Sequence, residues 1–389
     1  MQTQPLFHDL FGVMAVICMI PVFFLWLERT TKWRVFDFLP AIIWIFLTPI
    51  FLSNLNVIPR ESPIYDTFRS FAVPLFIVLM LLDINIRQSL RVAWKGAIVM
   101  VIGAVGIVVG AVAAYAAFRS GLPADAWSGF GALAGSWIGG TGNLAAVAES
   151  LDTPSELVGI VVIVDNLVYL VYFPLILTCK RWAKPFNRFT GVSEEEIAEL
   201  SASTATVAKK THEVHFRDVL TLVGWGFTAI VFARLLAGRV PEVPPVLTTS
   251  TWTILLVTTI GVLLSATKLR DVPGTEPLSM SFVYLYMTMI GASADLRVLG
   301  DAHWFLAAGF VAIAVHLAFI VIGAKLLRLD VSMAAVSSVS AVGGAASAPV
   351  AAGYHREELV PVSIMLALIG YALGNYLGVA TAYLCNLIG

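Results

Sequence analysis

A Ser-x-x-Gly-Gly pattern occurs twice in this chain, once in each half of its 389 residues. The two copies begin at Ser136 and Ser340, 204 residues apart, and both lie within apolar stretches. Paired glycines weaken a helix, and a lipid bilayer offers unpaired backbone groups no hydrogen-bonding partner. A glycine-rich break repeated in matching places of two membrane halves is typical of the binding site of a secondary transporter, where exposed backbone lines a cavity.

The residues around the two breaks could bind charged groups of either sign. A helix that begins after a break offers N–H donors and about half a positive charge, which favours an anion. Upstream carbonyls and the hydroxyls of Ser136, Ser338 and Ser340 are hard oxygen ligands suited to sodium. Either Thr141 or Asn143 is expected to cap the helix after the first break, and Ser347 the helix after the second. The candidate solute-binding residues are Ser136, Gly139, Gly140, Thr141, Gly142, Asn143, Ser340, Gly343, Gly344, Ser347 and Asn375.

A second candidate is the Asp165-Asn166 pair, which lies in the middle of an apolar segment. A carboxylate at that depth is costly, so it suggests a function such as cation coordination or proton exchange. The corresponding helix of the second half carries Tyr371 and Asn375 but no acid, which indicates a single ion-handling carboxylate. The candidate ion-coupling residues are Asp165, Asn166, Ser338 and Tyr371.

Each of these features has a structural alternative. Gly131, Gly135 and Gly139 are spaced four apart, which is also the pattern of a helix-packing face. Asp165 could be a protonated or amide-paired structural residue. His316 lies within an apolar segment and could titrate, but a buried histidine hydrogen-bonded to backbone is the commoner case.

The composition shows which elements must position these residues. Apolar residues make up 59% of the chain and charged residues 13%, against about 25% charged in soluble domains. The net charge of −1 gives no support for a nucleic-acid partner. The sequence contains no phosphate-binding Gly-x-x-x-x-Gly-Lys-Ser/Thr loop and no Gly-x-Ser-x-Gly or His-Glu-x-x-His motif. We therefore expect a polytopic membrane protein that is not an enzyme and has no cofactor other than a possible sodium ion.

Twelve apolar segments and one polar linker organise the chain. We predict a first repeat over 1–179, a linker over 180–216 and a second repeat over 217–389. Ser193 and Glu196 in the linker fit a helix-capping box. The apolar segments are 7–27, 36–53, 65–85, 93–118, 128–150, 156–179, 217–237, 250–267, 278–296, 302–327, 331–354 and 358–388.

The distribution of Lys and Arg predicts the topology. If segments five and eleven return to the side they entered from, and the N-terminus lies outside, 18 of the 24 basic residues face inward. If all twelve segments cross, the best split is 14 against 10. Because basic residues collect in cytoplasmic loops, the first arrangement is favoured. Each half then has five crossings and one re-entrant segment, so the two repeats are inverted. Both termini are expected outside and the linker in the cytoplasm, with the chain in the bacterial cytoplasmic (inner) membrane.

Matches between the halves support an internal duplication. Glu156-Leu157-Val158 recurs as Glu358-Leu359-Val360, and Tyr169 recurs as Tyr371 at the same offset of 202 residues. Because these matches recur in the same order as the two glycine motifs, they indicate a repeated unit.

The chain resembles the YjcL-like integral membrane proteins of bacteria and plastids in three motifs. These motifs are Gly139-Gly140-Thr141-Gly142-Asn143, Asp165-Asn166-Leu167-Val168-Tyr169 and Ala341-Val342-Gly343-Gly344-Ala345. The resemblance covers nearly the whole chain and implies the fold and the membrane location.

A more distant similarity is to sodium/glutamate symporters and citrate-type hydroxycarboxylate transporters. That similarity implies two re-entrant Gly-Gly loops, an elevator mechanism and a homodimer. The first loop matches their Gly-Gly-x-Gly pattern at Gly139, Gly140 and Gly142, whereas Ala346 replaces the last glycine of the second. No arginine adjoins either motif, which counts against a dicarboxylate substrate.

The sequence therefore predicts a secondary transporter that couples a small anionic or zwitterionic organic solute to sodium or protons. One alternative is a sodium/proton antiporter that uses Asp165-Asn166. Another is a membrane partner or regulator that transports nothing.

Overall fold

A computed structural model of the chain describes residues 5–33, 35–38, 41–82, 86–193, 195–197, 213–293 and 302–389, and residues 194 and 198–212 of the predicted linker lie outside these ranges. The described residues form an all-helical protein. The helices are α1 (Leu10–Thr31), α2 (Val35–Phe38), α3 (Ala41–Asn54), α4 (Pro63–Leu82), α5 (Ile86–Phe118), α6 (Ala126–Ser150), α7 (Ser155–Thr178), α8 (Ala183–Thr190), α9 (Phe216–Ala237), α10 (Thr249–Leu264), α11 (Thr275–Ser293), α12 (Ala302–Leu327), α13 (Val331–Val342), α14 (Gly344–His355) and α15 (Val360–Ile388).

The helices follow from the apolar segments of the sequence. Among the described residues, seven helices are long and apolar enough to cross a membrane, and three shorter helices are also apolar. Helices satisfy their own backbone hydrogen bonds, which is what lipid requires of a spanning segment. The prediction of an all-α polytopic membrane protein is confirmed. The capping box is confirmed as well, because Ser193 N–H donates to Glu196 Oε2 at 3.0 Å and Glu196 N–H donates to Ser193 Oγ at 3.1 Å.

Helix α6 reverses direction at Gly140. This residue has φ 77° and ψ −177°, a conformation that strains any residue carrying a Cβ. A Cβ on Gly135 would lie 3.0 Å from Val147 Cγ2, and one on Gly131 would lie 3.1 Å from the Leu151 side chain. In an unbroken helix those pairs would be about 18 and 30 Å apart. The two legs of α6 are therefore antiparallel and form the first hairpin, Ala126–Ser150.

Helices α13 and α14 form the second hairpin, over 331–355. The chain turns at Gly343 and at Gly344, which has φ 58°. Arg356 Nη2 donates a hydrogen bond to Asp330 Oδ1 at 3.1 Å and joins the open ends of the two legs. Those residues would be about 39 Å apart in one continuous helix. Both glycine-rich stretches are thus broken, as predicted. The expectation that Ser347 caps α14 was wrong, because the helix already begins at Gly344.

The ion pair between Arg356 and Asp330, at the open end of the second hairpin, gives a testable prediction. Replacing Arg356 with leucine is expected to lower the free energy of unfolding by about 3–5 kcal/mol, because Asp330 would keep a buried carboxylate without its charged partner. The Asp330 side chain is only 5% exposed. Denaturant unfolding in detergent measures the change. Arg270→Leu is the control, since Arg270 pairs with an exposed Asp271 at 3.8 Å. An equal loss of unfolding free energy in both variants would contradict a stabilising role for the ion pair between Arg356 and Asp330.

The open ends of the two hairpins lie near opposite ends of α7. Helix α7 begins at Ser155, five residues after the first hairpin ends. At its other end, Ile176 O lies 3.0 Å from Nε2 of His355, the last residue of the second hairpin. A helix of 24 residues is about 36 Å long. The hairpins therefore enter the structure from opposite ends of a helix long enough to span a bilayer.

The helices group into two bundles by their packing. The hairpin bundle contains α5, α6, α7, α12, α13, α14 and α15, whereas the flanking bundle contains α1, α3, α4, α9, α10 and α11. Each bundle takes three consecutive predicted membrane segments from each half of the chain, as a duplicated unit would.

Glycines bring α6 and α15 into close contact. A Cβ on Gly131 would lie 3.0 Å from Gly378 O, and one on Gly139 would lie 2.8 Å from Gly370 O. Gly135 Cα lies 3.2 Å from where a Cβ on Gly378 would be. Since real Cβ atoms need more room than this, small residues are required along the contact. The packing interpretation of the three glycines is confirmed, and it coexists with the break at Gly140.

Candidate functional site

The tips of the two hairpins meet inside the hairpin bundle. A Cβ built on Gly344 would lie 3.8 Å from Cα of Gly140. The outgoing leg of the first hairpin starts after Gly140, and α14 starts at Gly344. Two helix N-termini, each with its partial positive charge, therefore lie side by side.

The tips are more accessible than most of the first hairpin and than the incoming leg of the second. Along 130–150 every residue is buried except Gly140, Thr141 and Glu149, and along 331–342 every residue is buried. Gly343 and Ser347, at the second tip, are half-buried. Both turns thus include residues that are only half-buried.

A tyrosine from each half reaches the hairpin tip of the other half. The Tyr371 ring lies 3.5 Å from the Cβ positions of both Gly140 and Gly344, and its Oη accepts a hydrogen bond from Ala345 N–H at 3.2 Å. Tyr169 Oη lies 2.7 Å from the Cβ position of Gly343. These tyrosines are the pair that the sequence matches 202 residues apart. Their exchanged contacts support the internal duplication.

Two hydrogen bonds to the Asp165 carboxylate connect α7 to the first hairpin. Its Oδ2 accepts a hydrogen bond from Ser136 Oγ at 2.7 Å, and its Oδ1 accepts one from Trp137 Nε1 at 2.6 Å. Both donors lie within four residues of the turn at Gly140. The carboxylate therefore holds the incoming leg of the first hairpin close to its tip.

Asn143 connects the first hairpin to α15 and, through Asn375, to the flanking bundle. Its Nδ2 donates to Tyr371 O at 2.9 Å and to Asn375 Oδ1 at 3.0 Å. Asn375 Nδ2 in turn donates to Thr258 Oγ1 of the flanking bundle at 2.8 Å. Asn143 Oδ1 is buried and accepts no hydrogen bond from the described residues, so the expectation that Asn143 caps the outgoing leg was wrong.

The bridge to the flanking bundle gives a second prediction. Replacing Thr258 with valine leaves Asn375 Nδ2 buried without an acceptor, which is expected to lower the free energy of unfolding by about 1–3 kcal/mol. Thr253→Val in the same helix is the matched control, because the Thr253 hydroxyl donates only to Thr249 O of its own helix. Thermal unfolding of both variants in detergent measures the difference. If the two valine variants are equally stable, the hydrogen bond between Asn375 and Thr258 contributes nothing to the stability of the protein.

Ser338 belongs to a separate buried network. His316 Nδ1 lies 2.8 Å from Gly103 O, and its Nε2 lies 2.8 Å from Ser338 Oγ. The Tyr172 hydroxyl lies 2.6 Å from the same Ser338 oxygen. A carbonyl only accepts, so Nδ1 carries the proton and a neutral ring accepts from Ser338 at Nε2. Tyr172 then donates to Ser338.

The three candidate serines form hydrogen bonds to three different sets of partners. Ser136 bonds to Asp165, Ser338 to the histidine and tyrosine, and Ser340 Oγ donates to Ser363 O at 3.1 Å. Ser338 and Ser340 are two residues apart in one helix, so their side chains point to different faces.

The remaining candidates surround the tips without sharing one cluster. Asn166 Nδ2 donates to Val162 O of its own helix at 2.7 Å. Thr141 is half-buried at the first tip, and the Cβ position of Gly142 lies 2.9 Å from Met80 Sδ of the flanking bundle. A Cβ on Gly343 would lie 2.9 Å from Ser347 Cβ.

Sequence reasoning left out several residues of these networks. Trp137 lies inside the first glycine motif, so its place in the repeat was an available signal. Tyr172 and Thr258 are polar groups within apolar segments, which is a weak signal because hydroxyls often bond to their own helix. His316 was judged a backbone-bonded histidine, and its second bond to Ser338 could not be read from the sequence.

The apolar helices and their packing define a polytopic integral membrane protein. The chain belongs to the family described as "Protein of unknown function (DUF819)", which matches residues 15–387. It is similar to the "Uncharacterized membrane protein YjcL" of Bacillus subtilis (strain 168). The two are 29% identical over 384 residues, which cover 95% of this chain and 94% of that protein. The resemblance recognised from the three motifs is confirmed.

Proposed function

We propose that this protein is a secondary active transporter that carries a small anionic or zwitterionic organic solute in symport with sodium or protons. The observation that carries the proposal is the meeting of two broken hairpins at half-buried tips, where a Cβ on Gly344 would lie 3.8 Å from Gly140 Cα. Broken helices that meet between repeats form the binding sites of many transporters. The candidate solute-binding residues are those of the two tips, with Asn375 behind them.

The chemistry of the tips supports this solute class. The adjoining helix N-termini favour a negative group. The buried Oδ1 of Asn143 has no donor among the described residues, and a buried acceptor without a partner costs about 1–3 kcal/mol. A solute with an ammonium or hydroxyl group beside its carboxylate would satisfy both features.

Inverted repeats and alternating access follow as parts of the same proposal. The hairpins open near opposite ends of α7, and Lys325, Arg328 and Arg356 lie near the open end of the second. The positive-inside tendency then places that end in the cytoplasm and both termini outside. The hairpin bundle would slide as an elevator against the flanking bundle, which would also form a homodimer in the bacterial cytoplasmic membrane.

Asp165 is the proposed coupling residue, and Asn166, Ser338 and Tyr371 were predicted with it. Asp165 reaches the first tip through Ser136 and Trp137, so a cation or proton at its carboxylate would act directly on that hairpin. Ser338 acts elsewhere, in the histidine network. The antiporter alternative rests on the same carboxylate and needs no organic solute.

Uptake by proteoliposomes under an inward sodium or proton gradient tests the proposal. A panel of labelled amino acids and hydroxy acids is expected to contain a solute that accumulates only with a gradient and only with protein present. The same solute should raise the thermal midpoint, since a ligand at about 100 times its Kd stabilises by about 2.7 kcal/mol. Gradient dissipation without any organic solute would favour the antiporter. No uptake, no exchange and no stabilisation by any ligand would count against transport.

A further inference from the structure

A cavity of about 600 Å³ lies against α8, just beyond the end of α7. It is lined by Lys184, Pro185, Arg188 and Phe189. The cavity is wide open to solvent, which suits a headgroup at the membrane surface better than an enclosed small molecule. We propose that this cavity binds the headgroup of an anionic phospholipid.

The position and composition of α8 favour a lipid headgroup. Helix α8 begins at Ala183, five residues after the apolar α7 ends at Thr178, so it lies at the edge of a membrane-crossing helix. Trp182 is 69% exposed and Phe189 50% exposed beside the cavity. Aromatic side chains next to basic ones are typical of helices that lie in the membrane interface.

The two cations are available to a ligand. Lys184 and Arg188 are exposed and four residues apart, so they share one face of the helix. Neither forms an ion pair with another described residue. A phosphodiester between them would receive charge-assisted hydrogen bonds from both.

The same segment holds the open end of the second hairpin. Asn187 Oδ1 accepts a hydrogen bond from Val331 N–H, at the start of α13, at 3.0 Å. Lys180 Nζ donates to Tyr354 O, near the end of α14, at 2.7 Å, and Lys325 Nζ donates to Phe189 O. A lipid bound on α8 would therefore stabilise both legs of the hairpin. This inference does not depend on the transport proposal.

The test compares the full-length protein in nanodiscs of phosphatidylcholine with and without phosphatidylglycerol. Phosphatidylglycerol is expected to raise the thermal midpoint and to be retained on the protein in native mass spectrometry. The double variant Lys184→Gln/Arg188→Gln should lose most of the midpoint shift and should bind this lipid roughly 30-fold more weakly, because two basic contacts are removed. The control Arg217→Gln/Lys268→Gln removes two exposed cations elsewhere. It should keep both the midpoint shift and the retained phosphatidylglycerol.

Two results would overturn the proposal. One is an equal loss of shift and retention in the double variant and the control, because the effect would then be general electrostatics. The other is an equal midpoint shift from free glycerol phosphate in phosphatidylcholine nanodiscs, because the site would then bind a soluble anion.

Discussion

Replacing Gly140 with alanine is expected to remove gradient-driven uptake while the protein remains folded. Gly140 has φ 77° and ψ −177°, a conformation that costs a residue with a Cβ about 1–3 kcal/mol. The added methyl would also contact the Tyr371 ring, 3.5 Å away. The chain would relieve the strain by moving the tip, and that energy corresponds to roughly 5- to 150-fold in binding. Uptake and the ligand-induced midpoint shift measure the loss.

Gly191 provides the matched control for this substitution. It also has a positive φ, 75°, but no atom lies within 4 Å of its Cβ position. Its ψ of 22° lies in the left-handed helical region, so Gly191→Ala should show a smaller backbone cost of the same sign, with uptake unchanged. A monodisperse Gly140→Ala protein with normal uptake would contradict the assigned role of the tip in solute binding.

The pair of variants Asp165→Asn and Asp165→Ala is expected to separate structure from coupling. Asparagine can still accept from Trp137 Nε1 through Oδ1 and can donate to Ser136 Oγ through Nδ2, so the fold should persist. Alanine leaves the Trp137 N–H and the Ser136 hydroxyl unpaired, and Trp137 is only 1% exposed. Its free energy of unfolding should fall by about 3–5 kcal/mol, because two bonds to an acid are lost.

The asparagine variant then tests ion coupling without the confounding loss of stability. Our proposal predicts that Asp165→Asn unfolds near the wild-type midpoint but no longer responds to sodium or to pH. Thermal midpoints measured in sodium against choline, at matched ionic strength, and across a pH series report the response. A full wild-type response in Asp165→Asn would show that Asp165 only fastens the hairpin.

The helix breaks at the two glycine pairs were predictable because the sequence feature that causes them is local. A glycine pair weakens a helix wherever it occurs, and its recurrence in each half at Gly140 and Gly344 pointed to paired turns. The tip contacts of Tyr169 and Tyr371 agree with the repeat read from the sequence. The cap at Ser347 failed because two adjacent glycines had already supplied the turn.

The networks behind the tips were not predictable in the same way. Asn375 and Thr258 are 117 residues apart in the chain, and no local sequence pattern indicates that they are in contact. The separation of two of the candidate serines, by contrast, was available from the sequence. At about 100° per residue, Ser338 and Ser340 differ by about 200° around the helix and cannot face one ligand.

The meeting of the two tips is tested most directly by cross-linking across the halves. Thr141→Cys and Ala345→Cys adjoin Gly140 and Gly344, and they are introduced after Cys18, Cys179 and Cys385 are replaced by alanine. A protease site inserted within 198–212 then cuts the chain between the halves.

After treatment with a short bis-maleimide and cleavage, the account predicts that the two halves stay joined on a denaturing gel. A control that pairs Thr141→Cys with Leu326→Cys, a residue 70% exposed at the end of α12, should separate. Complete separation of the halves in the Thr141–Ala345 variant, with both cysteines labelled, would contradict the convergence of the hairpins.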